Sequence, residues 1–102
     1  MGPRYRALAL QTRCDAVNEC ADRAAARARM RASLARIARE VAAAKAFIGL
    51  DLALVVLPEY VLTGYPLGDA VAEWADKTAL AADGPEYDAL AGIASDNALF
   101  LA

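Results

Sequence analysis

Leu52-Ala53-Leu54-Val55-Val56-Leu57-Pro58-Glu59-Tyr60-Val61-Leu62-Thr63-Gly64-Tyr65-Pro66 is the most informative run in this chain of 102 residues. It opens as an unbroken series of apolar side chains, which predicts a strand buried on both faces. Pro58 has no N–H to give a sheet, so the strand is expected to stop there. Glu59 is the first charge after seven uncharged positions. Thr63-Gly64-Tyr65-Pro66 then turns the chain away, with Gly and Pro as punctuation. In an open α/β sheet, ligands bind outside the carboxyl ends of the strands. A carboxylate fixed at that edge is a candidate general base. The plain alternative is a strand-end glutamate that caps a backbone group or faces water.

Upstream, Tyr5-Arg6-Ala7-Leu8-Ala9-Leu10-Gln11 reads as a first strand of a covered parallel sheet. Residues 12–17 form a loop, and Asn18 is a plausible N-cap. A helix is predicted from Glu19 to Phe47, because Met30, Leu34, Ile37, Val41 and Ile48 recur at helical spacing. Gly49 is its natural stop. Strand, long helix, strand is a βαβ unit with a right-handed crossover. Downstream, Asp69 is expected to cap a short helix through Val71, Glu73 and Trp74, with Trp74 in the core or at a subunit interface. Residues 76–82 read as a loop. Pro85 suits the first position of another helix, with Tyr87, Leu90, Ala91 and Ala94 on its buried face and Ile93 beside them. Asp96-Asn97 closes that helix, and a last strand begins near Ala98. The chain is therefore α/β, in the order βαβαβ.

Composition removes several function classes. There is no histidine, so no Ser-His or Cys-His mechanism can be built within this chain. The net charge of −2 gives no global argument for a polyanionic or polycationic partner. Cys14 and Cys20 match no zinc or redox spacing, and are expected as reduced thiols in a cytoplasmic protein. Asp51, Asp69 and Glu73 lack a ligand spacing, so no metal is expected. No apolar run reaches the ~18–20 residues of a membrane span. Arg23, Arg27, Arg29, Arg31, Arg36 and Arg39 make the long helix basic. A nucleic-acid site is one reading, but the arginines lie on more than one face without interleaved aromatics, which fits a solvated helix better. Ala98-Leu99-Phe100-Leu101-Ala102 reads as a strand cut short, so residues 1–102 are expected to be one partial domain, the N-terminal piece of a longer protein truncated at its C-terminal end.

Leu57-Pro58-Glu59-Tyr60 with Leu62-Thr63-Gly64-Tyr65-Pro66 resembles the first catalytic block of the nitrilase, or carbon–nitrogen hydrolase, superfamily. Tyr5 to Gln11 is similar to that family's first strand, and Asp83-Gly84-Pro85 to the start of its second main helix. The resemblance implies the opening βαβαβ part of a four-layer αββα sandwich. It also implies a Glu-Lys-Cys triad, of which this chain supplies only Glu59. Lys45, Lys77, Cys14 and Cys20 lie outside the family's lysine and cysteine motifs.

The activity implied by the resemblance is that of an amidase- or nitrilase-type hydrolase cleaving a non-peptide amide, nitrile or carbamoyl compound. It needs no cofactor, no nucleic acid and no membrane. The full-length protein would pair through helices into a homo-oligomer, and the fragment alone would be inactive. Glu59, shielded from water, would accept the thiol proton; Tyr60 and Tyr65 would line the substrate site or simply pack. Cys14, after the first strand, shares Glu59's edge and could be a nucleophile or a redox thiol, though a structural or incidental thiol fits better. The competing class is a non-catalytic interaction module that uses the arginine-rich helix to hold an acidic partner.

Overall fold

A computed structural model describes residues 4–102. The elements are β1 (Arg6–Ala9), α1 (Arg23–Ile48), β2 (Leu52–Val56), α2 (Val71–Thr78), α3 (Pro85–Asp96) and β3 (Phe100–Leu101). The three strands form one sheet in the order β1-β2-β3, both pairs parallel. The chain is thus mixed α/β. Successive strands step in one direction, and crossovers of one hand then put their helices on one face. In agreement, α1 contacts both α2 and α3.

That winding leaves the sheet with two unlike faces. Leu8, Val55 and Leu101 stand in register across the three strands, and Val55 is fully buried under the helices. Ala7, Leu54 and Phe100 make the adjacent row, with Ala9 and Val56 beyond it. This second face is bare: Phe100 is 79% and Val56 41% exposed. Within residues 4–102 the central strand is therefore covered on one side only, not on both as expected, because the helices lie against the face that holds Val55. A register irregularity lies between Arg6 and Ala7, opposite the β2 residue Ala53. One extra residue resets the alternation, which is why Leu52 and Val55 are both buried.

Helix α1 carries the core. Met30, Leu34, Ile37 and Val41 are buried as their spacing predicts, joined by Ala26 and Ser33, and Ile48 packs against the cluster. Twenty-six residues make a rod of about 39 Å, against strands of two to five residues. The radius of gyration, 15.1 Å, accordingly exceeds the ~13 Å of a compact 100-residue domain. Gly49 ends the helix at φ +123°, its N–H bonded to the Lys45 carbonyl.

The start of α1 differs from expectation. Its N-cap is Asp22, whose carboxylate accepts from the Ala25 N–H at 2.9 Å. Asn18 is no cap, and Glu19 lies outside the helix, because Val17 and Cys20 are drawn into the core and hold residues 17–20 in a turn. Further on, α2 runs through Thr78, so Asp76 is helical and not in a loop. It pairs with Arg23 of α1. Ala70, not Asp69, precedes α2, which has no side-chain cap. Trp74 is half-buried against the core. Helix α3 begins at Pro85 as predicted, but its buried residues are Glu86 and Ile93. Tyr87 and Ala91 instead line an open apolar groove of about 430 Å³ with Leu57, Leu90, Ala94 and Leu101, beside the edge strand β3.

Candidate functional site

The carboxyl ends of β1 and β2 bring two loops together, residues 10–22 and 57–70. Leu10 N–H still bonds Val56 O at 2.9 Å, and Leu57 N–H bonds Ala102 O at 2.7 Å, so the three strands end at one edge. Pro58 then releases the chain, and Glu59 stands just past the end of the central strand, as predicted.

Glu59 is exposed, and no ion pair among the described residues involves it. The expected shielding from water is not provided by residues 4–102. Behind Glu59 the backbone is tightly fixed. Tyr60 has φ +59°, a left-handed conformation that costs an L-residue about 1–2 kcal/mol. Its carbonyl gathers three donors: Gly64 N–H at 2.8 Å, Thr63 N–H at 3.2 Å and the Cys14 thiol at 3.2 Å. Those bonds offset the strain and hold the turn. The Tyr60 and Tyr65 rings meet edge to face, centroids 5.3 Å apart at 85°, a favourable aromatic geometry. Both are partly exposed, and Tyr60 follows Glu59 directly in the chain. The Thr63 hydroxyl stays within the turn, donating to Gly64 O.

Gly64 lets the two loops touch. Its φ is +78°, and a Cβ there would lie 2.5 Å from the Ala16 Cβ. Val17 N–H bonds Thr63 O at 3.0 Å. Asn18 crosses to the same loop: its Nδ2 donates to Tyr65 O at 2.8 Å and to Asp69 Oδ2 at 3.0 Å. Lys77 Nζ donates to Asn18 O at 3.1 Å, tying α2 into the junction.

The first loop is itself strapped to α1 by two arginines. Arg29 donates to Ala16 O at 2.8 Å. Arg36, with 14% of its side chain exposed, donates to Arg13 O at 2.7 Å and to the Thr12 hydroxyl, and reaches Glu40 and Asp15. Arg27 donates to Lys77 O and Ala79 O and faces buried Glu86 at 4.0 Å. Of the helix's six arginines from Arg23 to Arg39, only Arg31 and Arg39 are left as exposed side chains without such bonds among the described residues. Sequence reading missed these anchors. The one available signal was the spacing of Arg29 and Arg36, which puts them on one helix face two turns apart.

The other chemistry-bearing residues lie elsewhere or do structural work. Lys45 donates to Leu52 O at 2.6 Å and Leu50 O at 3.1 Å, at the end of the sheet opposite Glu59. Cys20 is buried, and Cys14 is exposed with its thiol on Tyr60 O. Asp51 pairs with Arg6 and Asp69 with Asn18. Among the described residues no group of three or more His, Cys, Asp or Glu side chains is arranged to hold a metal, and no helix is long and apolar enough to cross a membrane.

No family model matches this chain, and neither the curated proteins nor the solved structures give a match.

Proposed function

We propose that this chain is the N-terminal part of a carbon–nitrogen hydrolase of the nitrilase superfamily, with Glu59 as general base and the triad's Lys and Cys supplied from outside residues 1–102. The reading is carried by one arrangement. A Pro-Glu block of the family's type follows the central strand of a parallel sheet that has helices on one face and a bare apolar row on the other. A four-layer αββα sandwich needs such a half: helices outside, and an inner sheet face free to meet a second sheet. The covering layer would also supply the shielding that Glu59 lacks here.

In the reaction, Glu59 takes the proton of the incoming cysteine thiol, since the thiolate is the competent nucleophile. Sulfur attacks the carbonyl carbon of a non-peptide amide, and the lysine and a backbone N–H hold the negative charge that develops on oxygen. Glu59 returns the proton to the departing nitrogen, ammonia leaves, and a thioester remains. Glu59 then accepts a proton from water as that water attacks the thioester; the acid is released and the thiol restored. Nitrile and carbamoyl compounds are the neighbouring substrate classes. Tyr60 and Tyr65 would border a small substrate, and helix faces would pair two protomers.

The interaction-module reading keeps little support. Arg23, Arg27, Arg29 and Arg36 bind the chain's own carboxylates and carbonyls, which leaves few free cations for an acidic partner.

Reading the coding sequence past residue 102 and assaying its product for ammonia release from small primary amides tests the proposal. We expect a downstream lysine and a strand-end cysteine, and a loss of about 10²–10⁴-fold for Glu59→Gln. A frame lacking either residue, or a Glu59→Gln variant as active as the parent, refutes it.

A further inference from the structure

We infer that Asn18 is the positioning residue of the Glu59 loop, an assignment that rests on the hydrolase reading for its catalytic consequence. Three elements meet at this one side chain and its backbone. Nδ2 donates to Tyr65 O at 2.8 Å and Asp69 Oδ2 at 3.0 Å. The Asn18 carbonyl accepts from Lys77 Nζ at 3.1 Å. Oδ1 lies 3.2 Å from where a Cβ on Gly64 would stand, so Asn18 also fills the space that glycine leaves.

The role differs from core packing, because Asn18 is only part-buried and joins loop to loop. Glu59 and Tyr65 are the two ends of a short excursion. Its near end leaves β2 at Pro58, and its middle is held through Tyr60 O by Gly64 N–H and Cys14. Its far end is held by Asn18. An amide is suited to this work: one NH₂ group donates to a carbonyl and to a carboxylate at once, which neither an aspartate nor a hydroxyl can do. Asp69 cannot take over, since it has no donor when ionised. The loop before Asn18 is strapped to α1 by Arg29 and Arg36, so Asn18 refers the position of the Glu59 turn to the long helix that carries the core.

The test uses the full-length protein with Asn18→Ala and Asn18→Asp. The aspartate variant keeps the shape and places a second carboxylate against Asp69, so it carries the experiment if the alanine variant fails to fold. Amide hydrogen exchange is followed at residues 60–65 and in α1, alongside kcat and KM for ammonia release. Expected is faster exchange confined to the loop, with kcat down by about 10²-fold, the cost of a reacting group displaced by ~1 Å, and KM changed by less than the fall in kcat. Uniformly faster exchange that includes α1 would make Asn18 a general stability residue and overturn the proposal. So would a loop that loosens without loss of kcat. A parent enzyme that releases no ammonia at all, with exchange still altered only in the loop, overturns the hydrolase reading and the catalytic role together, while leaving the loop anchor established.

Discussion

Gly64→Ala gives the sharpest test of how the two loops are joined. The new Cβ would stand 2.5 Å from the Ala16 Cβ, 3.1 Å from the Ala16 Cα and 3.2 Å from Asn18 Oδ1. Carbon atoms pack at about 3.5–4.0 Å, so the loops must part by roughly 1 Å. The two Ala16 atoms belong to no long or flexible side chain, so neither can swing aside. Parting the loops sacrifices the bonds from Val17 N–H to Thr63 O and from Asn18 to Tyr65 O, at about 0.5–1.5 kcal/mol each. Holding alanine at φ +78° adds about 1–2 kcal/mol. The sum is a destabilisation of about 2–5 kcal/mol. Gly68→Ala supplies the control, because Gly68 has φ +82° but nothing within 4 Å of a Cβ. It should show the backbone strain alone. Urea unfolding followed by Trp74 fluorescence reads both midpoints. If Gly64→Ala costs no more than Gly68→Ala, the close approach of the loops is wrong.

Other substitutions probe the remaining contacts. Ser33 is buried with its hydroxyl unpartnered, so Ser33→Ala should raise stability by about 1 kcal/mol; a lower unfolding midpoint would mean the hydroxyl has a partner. Arg27→Ala strands the buried Glu86 carboxylate and frees the Lys77 and Ala79 carbonyls, and should cost about 3 kcal/mol, of which the part due to Glu86 is recovered in Arg27→Ala with Glu86→Leu. If the double variant is no more stable than the single one, the pair is not coupled. Fluorescence anisotropy with a labelled duplex DNA should show no binding that strengthens between about 200 and about 50 mM salt, because the arginines are engaged internally; a steep salt slope would restore the interaction-module reading.

Much of the fold was legible because periodicity reports which residues are apolar together. The stripe of Met30, Leu34, Ile37 and Val41 is the core it promised, and Pro58 and Pro85 mark the ends they should. Periodicity does not report which neighbour a face meets. Leu54 and Val56 are as apolar as Val55, so nothing in residues 52–57 distinguished the bare face from the covered one. Tyr87, Leu90, Ala91 and Ala94 do form a stripe, but it converges on the open groove beside β3, while Glu86 enters the interior because Arg27 is there to meet it. The place of Glu59, just past the end of the central strand, was legible from the apolar run and Pro58. The loop-anchoring roles of Asn18, Arg29 and Arg36 were not, since a side chain that bonds a distant carbonyl leaves no trace in local composition.

The strap between α1 and residues 13–16 behaves as a vernier. Arg29 and Arg36 are seven residues apart, about 10.5 Å along the helix and only about 20° short of two full turns. Their targets, Ala16 O and Arg13 O, are three residues apart and run the opposite way, about 10 Å if extended. The two scales coincide only at this spacing. One residue inserted between Arg29 and Arg36 would swing one guanidinium about 100° around the helix and detach the loop that carries Asn18. Length variation in this part of α1 is therefore forbidden by geometry, whereas the turn around residues 79–84 can change length without disturbing the match.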